Sequence, residues 1–164
     1  MPLYRGISGD ELDIARSGRV FHASRYVSVT SGSSAYVEMR TGTAEVVLLG
    51  WAIVAATEAF RVRGIEAPTI GTPGTTAVTA YNVNRILSTT ASTMLLFSDP
   101  QTISGGTTIL DTITPSGVNK VGGIAGESHV WTLKKNTTYI MQVENLGNST
   151  SNVAVELGWL EANK

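Results

Sequence analysis

Two histidines, His22 and His129, are the side chains of this sequence best suited to acid–base or metal chemistry at neutral pH. Zinc ligands recur at short fixed spacings such as H-x-H or H-E-x-x-H, and neither pattern occurs here. The chain has no cysteine, which excludes a thiolate metal site, a disulfide framework and a cysteine nucleophile. We therefore predict no metal site, and we interpret each histidine as a packing or surface residue.

Other catalytic arrangements are missing as well. The G-x-S-x-G turn that holds a nucleophilic serine does not occur. The pairs Gly105-Gly106 and Gly122-Gly123 lack the lysine and the following helix of a phosphate-binding loop, so we interpret them as turns. Two acids from distant strands could form a glycosidase site, but a chain with 13 Asp and Glu brings such pairs together by chance. We predict that the protein is not an enzyme and holds no cofactor.

Length and charge narrow the functional classes further. The chain has 164 residues, with 12 Lys and Arg against 13 Asp and Glu, and a net charge of −1. A nucleic-acid-binding protein needs a basic surplus, so we predict no nucleic-acid partner. The longest apolar run, Val46–Ala56, is too short to cross a bilayer, and the first residues lack the apolar segment of a secretory signal. We therefore predict no membrane association.

The composition favours β-structure. The chain has 21 Thr, 16 Val and 11 Ile, which suit pleated strands, and 17 Gly and 15 Ser, which suit turns. Alternating apolar and polar residues indicate about eight to ten strands separated by turn signals. We predict an all-β fold, a jelly-roll-like antiparallel β-sandwich over residues 25–164, preceded by an N-terminal arm over residues 1–24.

The segment Val46–Ala55 is apolar on both faces. Regular alternation places an apolar set of four residues on the face opposite Val46, namely Val47, Leu49, Trp51 and Ile53. A strand that is apolar on both sides lies either between two layers or at a subunit interface. We predict that the protein forms a dimer or trimer, either through this set of four or through the C-terminal segment.

Two further strand predictions concern the middle and the end of the chain. Ala77–Leu87 is predicted to hold one strand. Tyr139–Asn145 and Val153–Glu161 both place apolar side chains on one face and are separated by the turn residues 146–149. We therefore predict that these two strands form an antiparallel hairpin with paired inward side chains.

The arm differs from the rest of the chain in its charge and helix propensity. Residues 9–18 are predicted to form one short helix, with acids in its first turn, Arg16 in its last turn and Gly18 after it. Such a short helix must dock, either on its own domain or on a neighbouring subunit or partner. The candidate partner contacts are apolar and basic residues of the arm: Leu3, Tyr4, Arg5, Leu12, Ile14, Arg16, Arg19 and Phe21.

Four short motifs follow one another in the second half of the chain. They are N-x-N-R at Asn82–Arg85, D-P-x-x-x-x-x-G-T at Asp99–Thr107, W-x-L-K-x-N-T-x-Y at Trp131–Tyr139, and the ending W-x-E at Trp159–Glu161. In these motifs the chain resembles small virion proteins of tailed bacteriophages and prophages. The ending of that group is close to W-Y-E, and this chain departs from it with Leu160 in the middle position.

The resemblance implies a non-enzymatic head decoration, or cement, protein with a jelly-roll-like sandwich. Such a protein binds the major capsid protein lattice on the exterior of the virion and is made in the cytoplasm of the host bacterium. The resemblance carries over no functional residue. The alternative is a receptor- or glycan-binding module of a fibre or tail, which exposed aromatic residues near the glycine-rich loops would favour, the candidates being Tyr81, Phe97 and Trp131. A hydrolase acting on the cell envelope is a third hypothesis.

Overall fold

The computed structural model describes residues 13–14, 16–55, 58–87, 90–114, 123–127 and 130–162 of the chain. Most of these residues lie in strands. In chain order the strands are β1 (Val20–Val29), β2 (Ser34–Arg40), β3 (Glu45–Ala55), β4 (Phe60–Glu66), β5 (Thr69–Thr72), β6 (Thr76–Ala77), β7 (Ala80–Asn82), β8 (Leu95–Ser98), β9 (Gln101–Ser104), β10 (Thr107–Thr114), β11 (Gly123–Glu127), β12 (Trp131–Leu133), β13 (Thr138–Asn145) and β14 (Ser151–Ala162). The segment Ala77–Leu87, predicted to hold one strand, contains β7, which ends at Asn82 and is followed by a 3-10 turn, Arg85–Leu87.

Two antiparallel sheets pack face to face as a sandwich, which confirms the predicted fold class. Sheet A has the order β11–β3–β14–β1–β7, and β12 also pairs with β3. Sheet B has the order β10–β4–β13–β2–β8–β6, and β5 and β9 form a separate two-stranded ribbon. One hydrophobic core draws its side chains from both main sheets.

The strand pairing follows the nested pattern of a jelly roll. β1 pairs with β14, β2 with β13, β3 with β11 and β12, and β4 with β10, all antiparallel. The same pairing would arise if the chain formed one long hairpin, which then rolled up into two sheets. Rolling places alternate pairs in opposite sheets, which gives the observed neighbours β14–β3 and β13–β4.

Large aromatic side chains fill the centre of the core. Trp159, Tyr139, Phe21 and Phe60 are all at most 1% exposed. The rings of Phe21 and Trp159 stack with their centroids 5.9 Å apart, within the range that aromatic pairs prefer. This burial corrects the prediction that Phe21 contacts a partner, because its side chain is enclosed by its own domain.

A β-bulge explains why β3 is apolar on both faces in the sequence. Opposite β14, Gly50 pairs with Gly158 and Leu48 pairs with the next residue, Trp159. Leu49 is therefore an extra residue with no counterpart on β14. Across a bulge of this kind the alternation of inward and outward side chains shifts by one residue: even-numbered residues face the core before it, and odd-numbered residues face the core after it.

The bulge redistributes the four residues predicted to mediate self-association. The buried, core-facing residues of β3 are Val46, Leu48, Trp51 and Ile53. Trp51 and Ile53 are 5% and 0% exposed, so the structure corrects their assignment to an intersubunit face. Val47 is half-buried and Leu49 is 37% exposed. Only these two members of the set remain accessible to a second copy, and self-association stays a prediction.

The predicted C-terminal hairpin is also wrong. β13 belongs to sheet B, where it lies between β2 and β4, whereas β14 belongs to sheet A, between β1 and β3. The connection crosses from one sheet to the other at a corner held by Asn145, which is fully buried. Its Nδ2 atom donates to the carbonyls of Val29 and Ser149, both at 2.8 Å. The predicted inward faces of the two strands are nevertheless correct.

The sandwich begins earlier in the chain than predicted. β1 starts at Val20 and is paired with β14 from that residue onward, so residues 20–24 belong to the sheet rather than to the arm. The described end of the arm is helical at Asp13, Ile14 and Arg16. Gly18 then has a φ of 72°, a left-handed conformation that commonly ends a helix.

Candidate functional site

Two asparagines of the N-x-N-R motif fasten the base of the arm to the domain. Asn82 is 3% exposed and donates from Nδ2 to the Gly18 carbonyl at 2.8 Å. Asn84 donates from Nδ2 to the Arg16 carbonyl at 2.7 Å. Their Oδ1 atoms accept hydrogen bonds from the backbone N–H groups of Asn84 and Ile86, respectively, so the same side chains also shape the turn. The motif therefore fixes where the arm leaves the sandwich.

An exposed apolar surface lies beside this attachment. Val83, Ile86 and Leu87 are 45%, 93% and 42% exposed, and we name these three residues the apolar turn. A Cβ at Gly18 would lie 2.9 Å from the Cδ1 atom of Leu87, so the apolar turn packs directly against the arm base. Exposed isoleucine and leucine side chains that lie together mark a contact surface more often than scattered ones do.

The predicted arm contacts fall into different environments. Ile14 and Arg16 are exposed next to the attachment point. Arg19 is half-buried, and its carbonyl accepts a hydrogen bond from the N–H of Glu161 at 2.9 Å, so it belongs to the sandwich. The other predicted contacts apart from Phe21 lie outside the described residues: Leu3, Tyr4, Arg5 and Leu12.

The outer face of sheet A carries a shallow trough where two glycines meet. Gly50 pairs with Gly158, and Gly158 pairs on its other side with His22 of β1. A Cβ at Gly158 would meet nothing within 4 Å, so the surface is open at this point. The trough has a volume of about 290 Å³ and is also lined by Leu49 and Glu156.

A second cleft, of about 340 Å³, opens at the side of the sandwich next to β1. Tyr26 and Tyr81 line it and are 72% and 53% exposed. Four serine and threonine residues belong to the same lining: Ser24, Thr76, Thr79 and Ser98. We name this cleft the tyrosine cleft.

Arg25 forms part of the tyrosine cleft and is held in one position by two partners. Its Nη1 donates to the Tyr36 carbonyl of sheet B at 2.7 Å, and its Nη2 lies 2.6 Å from the Oδ1 atom of Asp99. The guanidinium group therefore joins the two sheets at this edge. Because it is fixed, it loses little conformational freedom if it binds a ligand.

Of the three aromatic residues singled out from the sequence, one is exposed and two are half-buried. Tyr81 is exposed, but the ring of Phe97 lies under the guanidinium of Arg40 at 4.1 Å, and Trp131 is half-buried against the core. Tyr26 was missed. The alternation of Tyr26 against the inward Val27 was the signal that identifies it as an outward aromatic residue.

Glu161, in the W-x-E ending, is a buried carboxylate that holds a loop. It is 0% exposed and accepts hydrogen bonds from Ser92 Oγ at 2.6 Å, Thr93 N–H at 2.8 Å and Met94 N–H at 3.1 Å. Trp159 Nε1 lies 3.4 Å away on the same strand. Burial alone would raise the pKa of Glu161, but the hydrogen bonds from Ser92, Met94 and Thr93 together outweigh it, so the pKa is lowered.

The W-x-L-K-x-N-T-x-Y motif also stabilises the fold. The Tyr139 hydroxyl accepts from the Lys134 N–H at 2.8 Å and donates to Glu66 Oε2 at 3.0 Å, while Asn136 takes a φ of 50° in the turn between them. The hydrogen bond from the Lys134 ammonium lowers the pKa of Glu66, and burial raises the pKa of Tyr139. The motif residues with described contacts therefore hold turns and loops rather than line a reactive site.

The outer face of sheet B is charged and internally paired. Arg61 bonds Asp111 through two nitrogens, at 2.8 and 2.6 Å, and Arg63 lies 3.1 Å from Glu144. The hydrogen bond from Arg61 lowers the pKa of Asp111. Such exposed ion pairs contribute little to stability and leave few free charges for a partner.

Two kinds of site are not found in the part of the chain that the structure describes. No three His, Asp or Glu side chains there come together closely enough to hold a metal ion. Within the same residues, no helix has the length and apolar character needed to span a membrane.

No protein-family model matches the chain, and no curated protein sequence matches it. Among solved structures, the chain is similar to the Yersinia pseudotuberculosis-derived mitogen (YPM), with 10% sequence identity and a TM-score of 0.35, over 87% of this chain and 88% of that one. A likeness this distant says nothing about what the chain binds.

Proposed function

We propose that the protein is a structural virion protein that decorates and stabilises a bacteriophage capsid by binding the major capsid protein lattice. One structural observation supports the proposal most directly: Asn82 and Asn84 fix the base of the arm beside the exposed apolar turn. An arm that leaves from a fixed point loses less freedom when it reaches a neighbour. The same lattice favours a dimer or trimer, because contacts that are individually weak act together when copies are linked.

The buried carboxylates support a structural role. Glu161 holds the loop at residues 92–94, and Glu38, 2% exposed, accepts a hydrogen bond from the Gly74 N–H at 2.7 Å and pairs with Arg40. Both acids are used inside the fold to hold a loop against a sheet. A rigid domain with an attached arm is what a cement protein requires.

Deletion of residues 1–12 is expected to leave a folded domain that no longer decorates capsids. This cut keeps residues 13–19 and all of β1, whereas a cut after residue 20 would remove the pairing of Val20 with Leu160. Thermal unfolding checks the fold, and co-sedimentation with capsids that lack the protein measures binding. Mass spectrometry of whole particles should find hundreds of copies. Full occupancy by the shortened chain would contradict the role of the arm, and a dozen copies would indicate a tail or vertex part.

Ile86→Ser is expected to weaken capsid binding by at least tenfold without changing thermal stability. A buried isoleucine contributes about 1.5–3 kcal/mol to an interface, and about 1.4 kcal/mol corresponds to tenfold. Ile113→Ser is the matched control, because Ile113 is also exposed, by 60%, but lies on sheet B away from the arm. Equal losses in the two variants, or no loss in either, would count against the apolar turn as a capsid contact.

A further inference from the structure

Tyr26, Ser24 and Tyr81 form a row on the outer face of sheet A. In β1, Ser24 and Tyr26 point outward together with His22, and Tyr81 pairs directly with His22 from β7. Directly opposed residues share a face, so Tyr81 lies on the same side of the sheet. Tyr26 lies four positions after His22, which is about 13 Å along the strand. The two tyrosines therefore stand at opposite ends of a floor that contains Ser24.

The exposure of both tyrosine rings at one cleft suits the binding of a ligand. Tyr26 is 72% exposed and Tyr81 is 53% exposed, and both line one cleft. Single exposed aromatic residues are ordinary, whereas two that border one concave surface offer stacking faces in a defined geometry. The volume of about 340 Å³ lies in the range of small-molecule sites.

We infer that the tyrosine cleft binds an oligosaccharide. A pyranose ring has a face of C–H groups, which packs on a tyrosine ring, and a rim of hydroxyls, which needs donors and acceptors. The cleft supplies hydroxyls from Ser24, Thr76 and Thr79 for that rim. It also supplies the guanidinium of Arg25, fixed by its bonds to Tyr36 and Asp99. Aromatic faces combined with a few fixed polar groups match this ligand chemistry.

The adjacent trough extends the site beyond one sugar unit. Ser24 of the tyrosine cleft pairs across the sheet with Glu156, and Glu156 lines the trough together with His22. The two depressions, of about 340 and 290 Å³, therefore adjoin along β1: the trough lies on the outer face of sheet A, and the tyrosine cleft lies at the edge where Arg25 joins the two sheets. Gly50 and Gly158 leave the floor of the trough free of side chains, so a second unit has room to continue along the face.

An extended peptide added to the edge of β1 fits this surface less well. β7 already covers β1 from Phe21 to Ala23, so an added strand would have only the stretch from Ser24 to Val29. Tyr81 would lie beyond the end of such a strand. Strand addition also uses backbone groups and leaves the tyrosine faces without a role.

The site is tested with the full chain on a glycan array that covers neutral, acidic and amino sugars, followed by calorimetric titration of hexasaccharides that bind. Tyr26→Ala and Tyr81→Ala are each expected to weaken binding about tenfold, since a lost stacking contact of this kind is worth about one decade in affinity. Tyr26→Phe should retain most of the affinity, and Ile113→Ala, on the other sheet, should not change it.

Three outcomes would overturn the inference. One is the absence of binding to any arrayed glycan at millimolar concentration. Another is binding that survives in the Tyr26→Ala, Tyr81→Ala double variant. The third is binding of a β-strand-forming hexapeptide that Ser28→Pro abolishes and Tyr81→Ala leaves unchanged, which would assign the surface to peptides. Capsid binding is a separate readout, because the arm base and the apolar turn share no residue with the tyrosine cleft.

Discussion

Replacing Glu161 by alanine is expected to lower the free energy of unfolding by about 3–5 kcal/mol. The substitution removes the acceptor shared by Ser92, Thr93 and Met94, and the Met94 N–H, which is buried, loses that partner. A buried donor that loses its partner retains the full penalty of dehydration. The loop at residues 92–94 then loses its attachment to β14, so the loss exceeds that of one hydrogen bond.

Chemical denaturation followed by tryptophan fluorescence measures this effect, and the thermal midpoint should fall by about 10 °C. Glu156→Ala is the matched control, because Glu156 lies on the same strand but points to the outer face. We expect its effect to be about 0.5 kcal/mol or less. Similar losses for the two variants would show that Glu161 does not anchor the loop.

The pH dependence of stability should carry the signature of Glu161. Its pKa is lowered in the folded state, so the unfolded chain takes up the proton first as the pH falls. The stability due to the carboxylate is therefore fully present above the unfolded pKa of about 4.3 and is lost as the pH falls through the folded pKa. The stability difference between the wild type and Glu161→Gln should shrink between roughly pH 5 and pH 3. A constant difference would contradict the ionised state of Glu161.

Deleting Leu49 is expected to preserve the fold, although it removes a residue from a central strand. Without Leu49, Gly50 still pairs with Gly158 and Leu48 with Trp159, and the bulge becomes regular pairing. The core-facing set of β3 is unchanged. The expected loss is below about 2 kcal/mol, typical of a partly exposed side chain. Circular dichroism and denaturant unfolding of the purified protein check this expectation.

Deletion of Ala52 is the matched control. Ala52 also faces outward in β3, but its loss moves Trp51 to the outer face and Gly50 into the core, even if the bulge is given up. Emptying the position of the buried indole costs about 3–5 kcal/mol. Equal destabilisation by the two deletions would mean that Leu49 is required where it lies and is not a spare residue.

Local sequence patterns predicted the strands well and their partners poorly. The bounds of β3, β13 and β14 follow within one or two residues from their apolar patterns and flanking turn residues, since these signals are local. The pairing of β13 and β14 with different sheets does not, because a short turn and a corner between sheets use the same residue types. Only the buried amide of Asn145, which bonds both Val29 and Ser149, distinguishes the two.

Which side chains face outward, and which of them meet, depends on contacts that the sequence does not reveal. A single bulge at Leu49 exchanged the faces of β3, because a shift of one residue reverses every side chain beyond it. Asn82 and Glu161 bond residues 64 and 67–69 positions away, so residue type and local pattern alone do not reveal these contacts. Tyr26 was identifiable as outward-facing, but its neighbour across the cleft comes from a strand 55 residues later.

The pairing of β1 with β14 limits how far the chain can fold while it is being synthesised. Val20 pairs with Leu160, so the edge of β1 that pairs with β14 stays uncovered until β14 has also left the ribosome. Pairing between strands so far apart in the sequence forms slowly, and until it forms the free edge of β1 can pair with other nascent chains. Ribosomes that stop early should therefore release products that aggregate, and a cell that produces the protein would depend on chaperones that bind the first half of the chain.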